Sequence, residues 1–189
     1  MTHLILIRHG QTQWNLEGRW QGQADPSLNA FGRAQAQRAA LELRAAGLDH
    51  LYSSDLRRAM ETATIIGAEL GRAVHADARL REINLGRWQG MLSTDIKTRY
   101  PDEFWSWHTS PLTTRPPGGE DLRALAARVL EAISEIAHRH AGQHIGVIAH
   151  ELPIAVVLAH VRSVDLAQLR DLIPATGAWQ EVIWEEKPK

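Results

Sequence analysis

Three adjacent residues, Arg8-His9-Gly10, could hold a phosphate and attack it. The Arg8 guanidinium is permanently charged and forks onto phosphate oxygens. The His9 imidazole is a nucleophile when its attacking nitrogen carries no proton. Gly10 lets the backbone approach a bound group closely. The same residues also fit a strand end followed by an ordinary loop with a surface histidine, so the rest of the chain has to decide. Two further groups of the right chemistry are Arg58, in the first turn of an expected helix, and His150, at the end of a second apolar run.

The elements that would position them follow from the apolar patterning. Leu4–Ile7 has the length of a buried strand and stops in the Arg8-His9-Gly10 triplet. Trp14–Leu28 is polar and reads as loop. Asn29 is placed to cap a helix from Ala30 to about Ala46, with Gly47 as its stop. His50–Ser53 is a second short strand, and Ser54 or Asp55 is expected to cap a helix ending near Leu70. Ala73–Ala76 suits a third strand. Ser93–Tyr100 and Asp102–His108 read as short helices, and Glu120 to about His140 as a long one, acidic at its start and basic at its end. His144–His150 is a fourth strand, followed by a helix to about His160, a short helix near Asp165–Leu172 and a final strand at Trp179–Trp184. Strands alternating with helices predict an α/β layered fold with a largely parallel sheet, and no break in composition divides residues 1–189 into more than one domain. Ligands of such sheets bind beyond the carboxyl ends of the strands. That is where His9, Arg58 and His150 would converge.

Composition narrows the function classes. The chain has 189 residues, 44% hydrophobic and 23% charged, which suits a single soluble domain with a sizeable core. A net charge of −1 gives no basic field for nucleic acid or a membrane surface. Without cysteine there is neither a disulfide framework nor thiolate chemistry, and a cytoplasmic location is expected. The apolar run before Arg8 is too short for a signal peptide or a membrane span. His138, His140 and His144 are close in sequence but fall at a helix end and the turn after it, without a carboxylate or cysteine cluster, so no metal site is expected there.

Four blocks, in order and spanning most of the chain, resemble the histidine phosphatase superfamily, the phosphoglycerate-mutase-like proteins. Arg8-His9-Gly10-Gln11-Thr12-Gln13-Trp14-Asn15 matches its signature, and Ser54-Asp55-Leu56-Arg57-Arg58-Ala59 resembles its second block. Leu80-Arg81-Glu82-Ile83 with Gly86, Trp88 and Gly90 resembles the third, and Val147-Ile148-Ala149-His150 the fourth. The resemblance implies a three-layer sandwich with helices on both faces of the sheet. It implies a metal-independent, cofactor-free phosphomonoesterase in which His9 is phosphorylated, Glu82 donates and then accepts a proton, and Arg8, Arg58 and, if protonated, His150 neutralise the phosphoryl oxygens. It also places Asn15, Gln21 and Gly22 against the substrate, a small phosphorylated molecule. To protonate a leaving alkoxide Glu82 must carry a proton, so its pKa should be raised by burial, and activity should favour mildly acidic to neutral pH.

Two residues depart from the family pattern. Glu151 stands where glycine usually follows the second histidine, and Gln89 where a glutamate often follows the third-block tryptophan. A Glu151 side chain turned into the pocket would repel phosphate. The favoured expectation is that it points away while its backbone N–H serves the anion at a helix N-terminus. Trp105 and Trp107 fit either a substrate wall or core packing. The competing functions are a phosphoglycerate mutase, disfavoured by the compact connection of about thirty residues between Gly90 and Glu120, a catalytically dead phospho-ligand sensor, supported by Glu151, and a phosphohistidine protein phosphatase. If the final strand lies at a sheet edge, it could pair two subunits as a homodimer.

Overall fold

The structure, a computed structural model, describes residues 1–185. Five strands form one sheet: β1 (Thr2–Arg8), β2 (His50–Ser53), β3 (Val74–Ala76), β4 (His144–Ala149) and β5 (Trp179–Trp184). Their order is β3-β2-β4-β1-β5, parallel throughout except for β5, which runs antiparallel to β1 at the edge. The seven α-helices among the described residues are α1 (Gln13–Glu17), α2 (Ala30–Glu42), α3 (Arg57–Leu70), α4 (Ser93–Arg99), α5 (Pro101–Thr109), α6 (Leu122–Arg139) and α7 (Glu151–Arg162).

The central strand β1 explains the layering. Its apolar run is continuous because both faces are covered, as parallel strands require. Leu4 and Leu6 point into a core shared with Val129, Ile133, Ile154 and Leu158 of α6 and α7. Ile5 and Ile7 point into a second core built with Ala39 and Ala40 of α2 and Ala59, Ala63 and Ile66 of α3. The expected three-layer α/β sandwich is therefore present. No single helix among the described residues is long and apolar enough to cross a membrane.

The register between β1 and β4 pairs Arg8 with Ala149, so the next residues, His9 and His150, emerge side by side at the carboxyl ends of adjacent strands. Gly10 follows at a close crossing: a Cβ there would lie 2.3 Å from the Gly32 carbonyl oxygen at the start of α2. Its small size thus serves packing of the loop on α2.

Several local expectations change. The polar stretch after Gly10 contains α1, started by a reciprocal capping box in which Thr12 Oγ1 accepts from the Asn15 N–H and Asn15 Oδ1 accepts from the Thr12 N–H. Five residues are too few to show a helical period. Asn29 caps α2 as expected, but the last turn tightens into a 3-10 helix over Leu43–Ala46. The N-cap of α3 is Leu56, without a side-chain bond. Ser54 Oγ meets His150 and accepts from the N–H of Leu56 itself, and Asp55 forms a bidentate pair with Arg81, so neither side chain caps an N–H of the first turn. α6 begins at Leu122 behind an Asp121 cap, and the segment at Leu166–Leu172 is 3-10.

Candidate active site

His9 is 3% exposed at the floor of a cavity of about 380 Å³ beyond the carboxyl end of β1. Its Nδ1 lies 2.7 Å from the Gly10 carbonyl oxygen. A carbonyl only accepts, so Nδ1 carries the proton and Nε2 presents its lone pair. Arg58 Nε–H donates to that Nε2 at 3.2 Å. Burial, reinforced by the Arg58 and Arg8 charges, holds the His9 pKa well below its ordinary value, so the imidazole is neutral at pH 7. This is the protonation state that a nucleophilic histidine needs.

The second block positions Arg58 from the first turn of α3. The side chain is 1% exposed, and burial brings its pKa down to about 10, leaving it charged. Its Nη1 and Nη2 donate to the carbonyl oxygens of Ala24 and Gly22, both at 2.8 Å. Those two bonds lock the guanidinium edge that carries Nε against His9. Thr62, one turn further along α3, accepts from the Gly10 N–H at 3.0 Å and so ties α3 to the loop bearing the histidine.

Glu82 reaches the cavity from the loop between β3 and α4. Its Oε1 accepts from the Ile83 N–H at 2.8 Å and its Oε2 from the Leu152 N–H at 3.4 Å. Burial, and then the nearby Glu151 carboxylate, push its pKa up to about 7, against the opposing pull of the Ile83 N–H, Arg58 and Arg8. It can therefore be protonated near neutral pH. The loop is held from behind by Arg128 of α6, which donates to the carbonyl oxygens of Arg79 and Arg81 at 2.7 Å and of Glu82 at 3.0 Å while pairing with Glu120 at 2.5 Å. Arg128 escaped the sequence reading because its pattern is that of an ordinary helix arginine.

His150 packs beside His9, with ring centroids 5.1 Å apart, and its Nε2 meets Ser54 Oγ at 2.7 Å. It is fully buried, and burial together with Arg58 keeps its pKa well below the usual value. The condition for His150 to act as a cation, that it be protonated, is therefore disfavoured by its surroundings. The fixed positive charge there comes from the arginines, and His150 offers a neutral ring.

Glu151 is the main correction. Its carboxylate does not point away: Oε2 accepts from Arg8 Nη2 at 2.6 Å, and the residue lines the cavity. Arg8 Nη1 donates to Pro174 O at 2.5 Å, and Arg8 Nε is buried without a partner. The helix-start geometry at His150 puts residue 151 on the cavity rim, and the nearest cation captures it.

Asn15, Gln21 and Gly22 all line the same cavity. Asn15 Oδ1 is committed to Thr12, which leaves its amide nitrogen for a ligand. Gln21 Oε1 accepts from Thr12 Oγ1, and Gly22 contributes the carbonyl that anchors Arg58. Gly22 has a φ of +52°, and a Cβ there would lie 2.7 Å from Gln89 Oε1. Gln89 in turn accepts from the Gln23 N–H at 2.7 Å, so the residue in place of the family's glutamate buttresses this loop. Trp107 is buried, stands edge-on to Trp88 and lines the cavity, whereas Trp105 is half-exposed under Lys97. Arg19 and Arg170, which the sequence reading passed over, complete the charged part of the wall. The histidines 138, 140 and 144 do not gather: His140 bonds Tyr52, and His144 stacks on His3.

Comparison with known proteins agrees with this geometry. The profile of the histidine phosphatase superfamily (branch 1) matches residues 4–189. Phosphoserine phosphatase 1 of Hydrogenobacter thermophilus is 36% identical over 187 residues, covering 99% of this chain and 89% of that protein. Glucosyl-3-phosphoglycerate phosphatase of Mycobacterium tuberculosis is 41% identical over 133 residues, 70% of this chain and 59% of that protein. The solved structure of Bacillus stearothermophilus YhfR superposes with a TM-score of 0.90 at 32% identity, over 98% of this chain and 92% of that one. That of the mycobacterial phosphatase complexed with VO3 superposes with a TM-score of 0.87 at 33% identity, over 95% and 91%. With its four motif blocks gathered at one sheet end and its length matched by the profile, the chain belongs to the histidine phosphatase superfamily.

Proposed function

We propose that this phosphomonoesterase acts through a phosphohistidine on His9, with Glu82 as its acid and base. The observation that carries the proposal is the neutral, tautomer-fixed His9, whose Nε2 lone pair faces the Arg58 guanidinium within one cavity shared with a carboxyl of pKa about 7.

In the first step His9 Nε2 attacks phosphorus. The N–P bond forms, the ester O–P bond breaks, and Glu82 gives its proton to the departing alkoxide oxygen. Arg58 and Arg8 stabilise the charge spread over the equatorial oxygens. In the second step the Glu82 carboxylate takes a proton from water, whose oxygen attacks phosphorus. The N–P bond breaks, inorganic phosphate leaves and neutral His9 returns. His150, buried beside His9, holds Ser54 on Nε2, supports the nucleophile's ring and keeps its otherwise unpartnered Nδ1 as a neutral N–H for the oxygens. Asn15, Gln21 and Gly22 complete the phosphate cradle. Arg170 on the wall, with Trp107 beside it, supports a small ester that carries a second anionic group; two relatives bear names that specify such esters, phosphoserine and glucosyl-3-phosphoglycerate. A cytoplasmic setting belongs to the same reading and rests on the cysteine-free, near-neutral composition.

The test is release of nitrophenol from p-nitrophenyl phosphate in excess EDTA, for wild type beside His9→Ala. Turnover in wild type and its loss in the variant are expected. Turnover that needs added metal, or survives His9→Ala, would overturn the assignment. Interconversion of 3- and 2-phosphoglycerate faster than hydrolysis of general esters would make the protein a mutase.

A further inference from the structure

At the opposite end of the sheet, three metal-ligating side chains project from three neighbouring strands. His3 is near the start of β1, His144 starts β4 and Glu181 lies in β5. The register explains the grouping. His3 pairs directly with His144 across the parallel β1–β4 ladder. On the other side it pairs with Ile183, which places Glu181 at the diagonal position two residues away on the same sheet face. The two imidazoles are stacked, with centroids 4.4 Å apart and planes 13° from parallel. His3 Nδ1 and Glu181 Oε1 are 2.8 Å apart, and one ligand atom from each of the three residues falls within 4.8 Å of the others. The Asp49 carboxylate accepts from the His144 backbone N–H at 3.0 Å and fixes the start of β4.

We propose that His3, His144 and Glu181 form a surface site for a divalent transition-metal ion of the zinc type, separate from the phosphoryl-transfer cavity. Two imidazoles and one carboxylate suit Zn²⁺ and its copper and nickel neighbours, and they suit the oxygen-seeking Mg²⁺ and Ca²⁺ poorly. Tetrahedral bonds of about 2.0–2.2 Å require ligand atoms roughly 3.3–3.6 Å apart with the ion near the plane of each ring, so the three side chains converge when one imidazole turns out of the stack about its side-chain bonds, the strands staying in place. The ion takes the position of the proton now shared between His3 Nδ1 and Glu181 Oε1, and the neutral His3 ring carries its proton on Nε2 instead. Three protein ligands leave the fourth position to water. The six residues from His3 to His9 extend about 20 Å along the strand, so the ion takes no part in ester hydrolysis. Its effect is mechanical. It bolts the antiparallel edge strand β5 onto the parallel β1–β4 pair.

The test is calorimetric titration of EDTA-stripped, buffer-exchanged full-length protein with ZnCl₂, for wild type, His3→Ala and Glu181→Gln. All three partners are partly exposed, so both variants should keep the wild-type melting curve in EDTA and the wild-type rate on p-nitrophenyl phosphate. Wild type is expected to bind one equivalent at micromolar concentration, and each variant to bind at least tenfold more weakly. Zinc at a hundredfold excess over its dissociation constant should raise the wild-type Tm by about 5–10 °C and leave the variants nearly unmoved. Absence of wild-type binding below about 100 μM, or equal binding in all three proteins, would overturn the site. Equal binding would place the ion elsewhere, such as at the His50, His75 and His140 group around Tyr52. Neither result bears on the His9 chemistry, which is read in EDTA.

Discussion

Replacing Glu151 with glutamine should tighten phosphate binding and move the pH profile at the same time. Glu151 occupies a guanidinium nitrogen of Arg8 at 2.6 Å, so an incoming phosphate that uses Arg8 meets a carboxylate already there. Two anions on one guanidinium sit about 5 Å apart, where the unit-charge repulsion runs from about 0.8 kcal/mol in water to about 3 kcal/mol at an effective dielectric of 20. The Glu151 side chain is 41% exposed and can swing outward, which places the cost in the lower part of that range, at about 1–1.5 kcal/mol. Removing the charge with an isosteric amide should therefore lower the inhibition constant for inorganic phosphate, and KM for p-nitrophenyl phosphate, by roughly five- to tenfold. The second signature concerns Glu82. Its acid form is lost as pH rises through its pKa of about 7, and the Glu151 charge is one cause of that elevation. Without it the pKa falls, so the alkaline limb of kcat moves to lower pH. The assay is initial-rate hydrolysis from about pH 5 to pH 8, with phosphate as competitive inhibitor. An unchanged inhibition constant together with an unmoved alkaline limb would refute the reasoning, because both effects arise from one charge. Wild-type binding of phosphate or vanadate without turnover, cured by the substitution, would instead identify Glu151 as the residue that silences the site.

Other perturbations follow from the same contacts. Arg128→Met removes the donor to three carbonyls of the Glu82 loop and leaves Glu120 with the Asn84 N–H but no cation; a loss of about 2–4 kcal/mol in urea unfolding is expected, with kcat falling more than KM rises, because the loop carries the proton donor. Ser54→Ala should lower kcat by an order of magnitude through loss of the His150 partner, with a stability cost of about 1–2 kcal/mol; an unaffected kcat would show that His150 needs no orienting group. Gly10→Ala drives a methyl group to 2.3 Å from the Gly32 carbonyl oxygen and should impair folding, seen as insoluble protein or a Tm lower by many degrees, even before the chemistry is considered. Acid stability has a definite sign. His9 and His150 have folded pKa values depressed below the unfolded value, so the unfolded chain binds more protons, and the stability they sustain near neutral pH is lost as pH falls below about 6.5. Glu82 acts oppositely: its folded pKa is raised, and its contribution fades as pH rises through about 7. Urea midpoints for wild type and His150→Gln compared across that window should converge at low pH.

The layered α/β plan and the type of most elements were legible in the chain itself, because apolar runs bounded by Gly, Asn and Asp report burial and chain reversal locally. Arg8, His9, Arg58, Glu82 and His150 could be picked out because each sits in a short contiguous block that resembles the family's, and a parallel sheet carries the ends of its strands to one place. What needed three dimensions was how those groups are wired. The tautomer of His9 follows from a single carbonyl, the raised pKa of Glu82 from burial beneath α7, and the neutrality of His150 from a ring enclosed beside another ring and an arginine. None of these leaves a trace in residue order, since desolvation depends on what the whole fold places around a group. Glu151 makes the contrast plain. The chain announces an acid after the second histidine, but whether it turns outward or onto Arg8 is decided by a strand end 143 residues away, through the guanidinium that the fold brings within its reach. Arg128 and the His3–His144–Glu181 group belong with it. Their residue types are unremarkable in the sequence, and only the packing of α6 and the register of β1, β4 and β5 bring them to their partners.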